Sequence, residues 1–473
     1  MTDNIVLLVL DTVRKDYFDR YSPRIQSRSD VSFNQCRAAS SCSVPSHASI
    51  FTEQLPHQHG IHSHNVDYSR LGADTTFLSR LNDYRTVGIS SNTFASSAFG
   101  FDQMFDEFTE LSSTKRFPGG IDLRQYVNES NRSGLNLYTT FVRDAIADEQ
   151  TNTIQSFLNA LKAVFDRMVS KAPIPTLFDD GASIICNRIE REVSGSENTF
   201  IFANIMDAHW PMHHVLGYDE SLYDAPRGWS SLTFREFEQL IYNVDDTVHK
   251  NQEFIETYQQ VYAAAIDYID RQVASLIDTL ADQQQETSII ITADHGENLG
   301  TKPDNYYFSH EASLTEGLLH VPLEVINAPA GYDDVEDAFV SQLQLGELLG
   351  GIAKGDACDV FTSHPIAELT TTAVHYDGFS PEEQAYWERM LRCWYDDSRK
   401  IVWDSEGIIE EYKIDRQRPN WQQRRGELQD LPASCDDAFD VGIHEYKGQM
   451  ERGVMQDDID DATRERLAEL GYL

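Results

Sequence analysis

The feature that most constrains this chain is a set of apolar runs that each close on an aspartate. Asn4–Leu10 runs into Asp11, Phe200–Met206 into Asp207, and Ser288–Thr292 into Ala293-Asp294-His295. A short run that is apolar throughout, rather than at alternate positions, marks a strand buried on both faces, as in a parallel sheet. Thr86–Ile89 and Val321–Ile326 are two more candidate strands. Helical spacing fills the gaps. Ile154, Phe157, Leu158, Leu161, Phe165 and Met168 recur at three- and four-residue steps, as do Phe254, Tyr258, Tyr262, Ile266, Ile269, Val273, Ile277 and Leu280. Strands alternating with helices predict an α/β fold with a mostly parallel sheet flanked by helices. The ligand site of such a sheet lies beyond the C-terminal strand ends, where the three aspartates fall.

The pattern holds to about residue 350, which gives a first domain of residues 1–350. Within it, residues 102–200 carry little strand signal and read as a helical insertion or cap. Residues 351–473 have a different texture. Ile366–Val374, Lys400–Trp403 and Ile408–Tyr412 are short strands, and Pro381–Trp394 is helix-like. They predict a small α+β C-terminal domain that ends in a helix over Asp458–Leu473.

Charge narrows the function classes. Asp and Glu number 77 against 38 Lys and Arg, a formal charge of −39. No basic face is available for nucleic acid, so a nucleic-acid partner is not expected. An anionic membrane surface would be repelled as well. The acidity is spread along the chain, and Arg supplies most of the positive charge. This texture resembles proteins of salt-loving archaea, in which salt screens surface repulsion, so a halophilic, archaeal origin is expected. The run Ile5–Leu10 is too short for a signal peptide, and no apolar stretch approaches the length of a transmembrane segment. Six cysteines without a Cys-x-x-Cys pair make neither a disulfide framework nor a zinc ribbon. A cytoplasmic location with reduced thiols is expected. Oligomeric state is not readable.

Several residues have the chemistry of a site. Asp294-His295-Gly296 brings a carboxylate and an imidazole side by side into a sharp turn. That pair serves equally as half of a divalent-metal shell or as a loop in which Asp294 caps the next helix. Asp11 ends another strand of the same sheet, either as a further ligand or as a cap partnered by Arg14. Ser40–His47 is a Ser-rich segment that leads into an apolar helix, whose N-terminal N–H groups suit an oxyanion. Ser43 there is a nucleophile if a metal lowers its pKa, and otherwise a simple N-cap. His57, His59, His62 and His64 are dense, but Pro56 and Gly60 break the scaffold a four-His zinc site would need. One of His62, His64 or Asn65 is expected to face substrate.

Taken together, these segments resemble the sulfatases and their relatives in the alkaline phosphatase superfamily. Asn4–Asp11 is similar to the family's first strand with its metal-binding Asp. Ser43-Val44-Pro45-Ser46-His47-Ala48-Ser49-Ile50-Phe51-Thr52 resembles its nucleophile signature, Cys/Ser-x-Pro-Ser-Arg-Ala-x-x-x-Thr-Gly. His209-Trp210-Pro211 resembles its substrate-side His-x-Pro, Ala293–Glu297 its second metal motif, and Arg399–Asp415 its small-domain strand. His310 sits where many members place a leaving-group Lys.

The resemblance implies an alkaline-phosphatase-like fold and hydrolysis of sulfate or phosphate (di)esters. It implies one divalent metal ion held by Asp11, Ser43, Asp294 and His295. Ca²⁺ follows by resemblance, whereas a His ligand fits Mn²⁺ or Zn²⁺ better. Ser43, His47, His209 and His310 would be catalytic, and the partner an anionic ester such as a sulfated or phosphorylated glycan. Departures qualify this. Thr12 stands where many members have a second Asp, His47 replaces the signature Arg, Glu53 replaces its Gly, and no Lys-x-His occurs near Ser90-Ser91-Asn92. Without the Arg, conversion of Ser43 to formylglycine is not expected. A transferase using the same serine and a non-catalytic binding descendant are the alternatives.

Overall fold

The computed structural model describes residues 2–450, apart from 113–114, 124–125, 128–129, 131–134, 148–150, 170–174, 196, 311, 371–375 and 377. The expected helix Asp458–Leu473 and residues 371–374 of the expected strand Ile366–Val374 lie outside the described residues.

Among the described residues, ten strands precede residue 350: β1 Asn4–Leu10, β2 Val31–Arg37, β3 Arg85–Ser90, β4 Glu107–Glu110, β5 Thr199–Ile205, β6 Thr287–Thr292, β7 Asn298–Leu299, β8 Phe308–Ser309, β9 Leu323–Ile326 and β10 Val335–Ser341. Eight of them form one sheet in the order β10-β2-β9-β6-β1-β5-β3-β4, while β7 and β8 pair separately. From β6 to β4 every neighbour is parallel. The Val321–Ile326 run contributes β9, which is antiparallel to both β2 and β6. Every residue of β1, β5 and β6 is buried, as their unbroken apolar runs require. These three are adjacent, with Leu10 level with Ile205 and Val9 level with Thr292. Their C-terminal ends therefore lie side by side.

Helices cover both faces. The 30-residue helix Gln252–Ala281 buries Tyr258, Tyr262, Ile266, Ile269, Val273, Ile277 and Leu280 along one flank, as its spacing predicts. Its Tyr262 hydroxyl donates to Thr12 O (2.6 Å) and accepts from Arg14 N (3.1 Å), which fixes the loop after β1. The stretch 102–200 holds the helices Leu135–Ala147, Thr153–Val169 and Ala182–Val193, but also the edge strand β4, which sequence periodicity did not indicate. Thr153–Val169 leaves part of its apolar pattern outside, with Ile154 71% exposed.

The C-terminal sheet is antiparallel, in the order β11 Ile366–Leu369, β12 Leu391–Asp396, β13 Arg399–Asp404, β14 Ile409–Ile414 and β15 Gln422–Glu427. The helix-like pattern Pro381–Trp394 divides. A helix occupies Pro381–Trp387, and Leu391–Trp394 belongs to β12. Strand pairing with β11 and β13 decides that segment over its local periodicity. One face of the sheet joins the main core through Ala367, Cys393, Tyr395 and Ile414. The other packs Trp394, Ile401 and Trp403 against Phe439, Ile443 and Tyr446. A buried carboxylate, Glu316, ties the sheet to the main body through Arg37 (3.0 Å), Lys400 (3.2 Å) and the Tyr395 hydroxyl (2.5 Å).

A second tie titrates. His57, just past the helix Ser43–Thr52, places Nδ1 3.0 Å from Glu368 and Nε2 2.5 Å from Asp440. Burial opposes its charge, but the Glu368 and Asp440 carboxylates outweigh burial and raise its pKa above the ordinary value. A raised histidine contributes stability fully below the unfolded pKa of about 6.5 and loses it as pH rises through the folded value. The melting temperature of the wild type is therefore expected to exceed that of His57→Gln by more near pH 6 than near pH 9. A constant gap across that window would show that the imidazolium contributes nothing.

Candidate active site

Ser43 opens the helix Ser43–Thr52 after the extended Cys42. Its Oγ lies 3.4 Å from Asp11 Oδ2 and 3.3 Å from His295 Nε2. Asp11 follows β1 directly, and Asp294 and His295 follow β6. One ligand atom from each of these three residues falls within 4.8 Å of the other two, and all three residues are buried. His295 Nδ1 is 2.8 Å from Gly296 O, the contact of a donated N–H, which leaves the Nε2 lone pair facing the cluster.

The carboxylates are only half satisfied. Asp294 Oδ1 accepts from His295 N (2.9 Å) and Thr12 N (3.3 Å). Asp11 Oδ2 accepts from Asn92 Nδ2 (2.6 Å). Asp11 Oδ1 and Asp294 Oδ2 are buried with no hydrogen-bond partner among the described residues. Buried polar atoms are ordinarily paired, so two bare oxygens in one cluster have the chemistry of a cation site. Burial, then the adjacent Asp294, push the Asp11 pKa up to about 8. The donor set of two carboxylates, one imidazole and one hydroxyl therefore fits a divalent ion.

Thr12 is held at φ 60°, a costly conformation for a β-branched residue. Its Oγ1 donates to Ala208 O (3.0 Å), so the hydroxyl is spent on the backbone rather than on the cluster. Gly296 is required by crowding: an added Cβ would fall 2.1 Å from Gly317 O.

The histidines separate by environment. His47 lies behind Ser43, with Nδ1 2.8 Å from Ser43 O and Nε2 3.2 Å from Asn204 Nδ2, so both ring nitrogens are engaged within the protein. Its ring sits between Phe101 and Phe202. His310 packs against His295 with centroids 4.6 Å apart, and His209 against His310 at 5.2 Å. Burial lowers the pKa of His47, His209 and His295 and takes His310 down to about 3, so these rings are neutral near pH 7. Beside them, burial pushes Glu297 up to about 7, and its Oε1 is 3.4 Å from His310 Nδ1.

Other expected candidates go elsewhere. Asp207 caps the helix Ala182–Val193, accepting from Asp180 N (3.1 Å) and Ala182 N (3.0 Å). Arg14 pairs with Asp16 and Asp304, not with Asp11. The four histidines after the signature helix do not converge. His57 meets Glu368, His59 Nε2 meets Ser49 Oγ (3.1 Å), and His62 Nδ1 accepts from His64 N (3.3 Å). Asn92 and Asn204, which contact Asp11, were not singled out from sequence. Their only signal is position, at the C-terminal ends of β3 and β5.

The Sulfatase family model matches residues 3–353, most of the chain. The chain belongs to the sulfatase family. Among curated proteins, "Uncharacterized sulfatase YidJ" of Escherichia coli (strain K12) is 26% identical over 150 residues, 31% of this chain. That match spans 29% of YidJ, well under two thirds of its length. Solved structures share the fold of this sulfatase-family chain at low identity. The phosphonate monoester hydrolase of Silicibacter pomeroyi superposes with TM-score 0.57 at 16% identity, covering 95% of this chain and 94% of its own. That of Agrobacterium radiobacter gives 0.57 at 14%, with the same coverage. BT1596, a 2-O GAG sulfatase, gives 0.54 at 14%, covering 98% and 96%.

Proposed function

We propose that this sulfatase-family chain is a metal-dependent hydrolase of sulfate or phosphate and phosphonate esters, with Ser43 acting as the encoded serine. The observation that carries the reading is the pair of bare carboxylate oxygens beside Ser43 Oγ and His295 Nε2. Asp11, Asp294, His295 and Ser43 Oγ would hold the ion. A divalent cation bound there would lower the serine pKa and offset charge on the ester oxygens.

The chain's own groups supply the rest. Ser43 Oγ, 3.4 Å from Asp11 Oδ2 and 3.3 Å from His295 Nε2, gives up its proton to solvent water as the new oxygen–sulfur or oxygen–phosphorus bond forms. The bond to the departing alcohol breaks, and that oxygen takes a proton. His209 and His310 are the imidazoles placed to hold non-bridging oxygens or to carry that proton, because a bound anion raises a neighbouring histidine pKa. Water then attacks the covalent ester of Ser43, releasing the acid and restoring the serine. His47 supports Ser43 and Asn204 from behind. With neutral rings where a Lys would give fixed charge, the site favours a mono-anionic ester over a phosphate dianion. The sulfated and phosphonate substrates in the names of the structural neighbours lie within this class, and an ester of a sugar is the substrate considered first.

An aryl sulfate, a diaryl phosphate and an aryl phosphonate, each offered with Ca²⁺, Mn²⁺ and Zn²⁺ at high salt, test the reading. Turnover of at least one is expected. Metal-loaded protein inert to all three would leave a binding protein.

The setting is proposed to be a salt-rich cytoplasm. No disulfide links the described cysteines, and no helix among the described residues is long and apolar enough to cross a membrane. With a formal charge of −39, the melting temperature is expected to rise steeply from low to multimolar KCl as surface repulsion is screened. A flat response would retire the halophilic setting.

A further inference from the structure

A cavity of about 290 Å³, just under the roughly 300–1,000 Å³ found for small-molecule sites, is linked to the cluster through Ser91 and His209. On one side its wall is Ser91, next to the Asn92 that holds Asp11. On the other it is His209, whose ring stacks toward His310 and the reaction centre. The insertion between β4 and β5 supplies the floor and Met206–Pro211 a wall.

The lining is apolar where it is broad. Leu111, Met206, Trp210 and Pro211 face the space, and Leu232 stands at the rim, 55% exposed. The wall is preformed, since Trp210 stacks on Phe237 with centroids 3.7 Å apart. At Gly181 the cavity is tight. An added Cβ would lie 3.2 Å from Ser91 Cβ, and φ is +135°.

Its charges cancel. Arg116 and Lys162 stand against Asp179 and Asp180. The buried Arg116 guanidinium is already committed, donating to the carbonyl and carboxylate of Asp179 and to Ser183 Oγ. The Tyr268 hydroxyl braces the same Asp179 at 2.6 Å. A second acid on a substrate would find this guanidinium spent and Lys162 already engaged, and would meet Asp180.

We infer that this cavity seats the alcohol half of the ester, and that this alcohol is one uncharged ring, an aryl group or a single sugar unit, with no second acidic group. The inference rests on the reading of Ser43 and His209 as the reaction centre. It separates this chain from enzymes that grip a polyanionic glycan by more than one acid. No bond changes in the cavity: the ring enters as part of the ester and leaves as the free alcohol.

The test uses the full chain and two readouts. Calorimetric titration with phenol and methyl glucoside is compared with their acidic congeners, 4-hydroxybenzoate and methyl glucuronide. At least one neutral alcohol is expected to bind, at least about tenfold more tightly than its acidic congener. Binding of phenol alone identifies an aryl ligand, and binding of the glucoside alone a sugar. Leu232→Trp, a rim substitution on an exposed residue, is expected to abolish that binding. In parallel, kcat/KM for the aryl sulfate is expected to exceed that for its carboxylated congener by a similar factor, and Leu232→Trp to raise KM. If the neutral alcohol binds and Leu232→Trp blocks it while no ester turns over, the cavity stands and the hydrolase reading falls. If esters turn over with no preference between neutral and acidic alcohols and no effect of Leu232→Trp, the cavity inference is overturned alone. Absence of binding by both neutral alcohols up to millimolar concentration also overturns it.

Discussion

Ser43→Ala is expected to cut ester turnover by at least about a thousandfold, with metal content and fold unchanged. The side chain is small, and its two side-chain contacts are long, 3.3 and 3.4 Å, so alanine removes a nucleophile and little packing. The same residue has a second test. Formylglycine formation reads the residues around its target, and His47 occupies the Arg position with both ring nitrogens turned into the protein. The tryptic peptide Ala38–Arg70 should therefore carry its encoded mass. A peptide lighter by two hydrogens would restore an aldehyde mechanism, in which sulfate leaves by elimination. Full activity in Ser43→Ala would remove the covalent step altogether.

Withdrawal of the proposed cation should be nearly as damaging. An ion present at a thousandfold excess over its Kd stabilises the native state by about 4 kcal/mol, so chelation should lower the melting temperature along with activity. Asp294→Asn makes the test specific. It replaces one of two buried carboxylates that face each other across the cluster. Loss of metal binding and turnover is expected, with the metal-free variant still folded, because the asparagine Oδ1 can go on accepting from His295 N and Thr12 N. A chelator-treated wild type with an unchanged melting curve would mean that the bare oxygens of Asp11 and Asp294 hold no ion.

The central strands and the cluster were legible for one reason. β1, β5 and β6 are strands of the parallel sheet buried at every residue, and burial on both faces writes itself as a near-continuous apolar run. The functional ends of β1 and β6 then follow from the sheet's geometry. β2, whose residues alternate in burial over its first half, and β10, whose first half is largely solvent-facing, carry a diluted signal. The direction of β9 has no compositional mark at all, because a strand reads alike in either sense. Helical spacing in Pro381–Trp394 misled for a related reason: the apolar residues of β12 continue a plausible helical stripe, and only their cross-strand partners exclude it. Asn92 and Asn204 were hidden because asparagine at a strand end is ordinary turn chemistry. The neutrality of His209 and His310 depends on burial contributed by distant segments, which no local pattern records.

The place of β1 has a consequence for how this chain is made. It is a central strand, yet both strands that flank it are synthesised long after it. Asn4 bonds to Thr199, 195 residues on, and to Thr287, 283 residues on. At about 5–20 residues per second, the second partner follows some 15–60 s after the first strand has been assembled. Both edges of this apolar heptamer stay unpaired until β5 is made, and one edge stays unpaired until β6 is made. Nascent chains are therefore most vulnerable before β6 appears, and a stall or truncation between β5 and β6 should be far more aggregation-prone than one after β9.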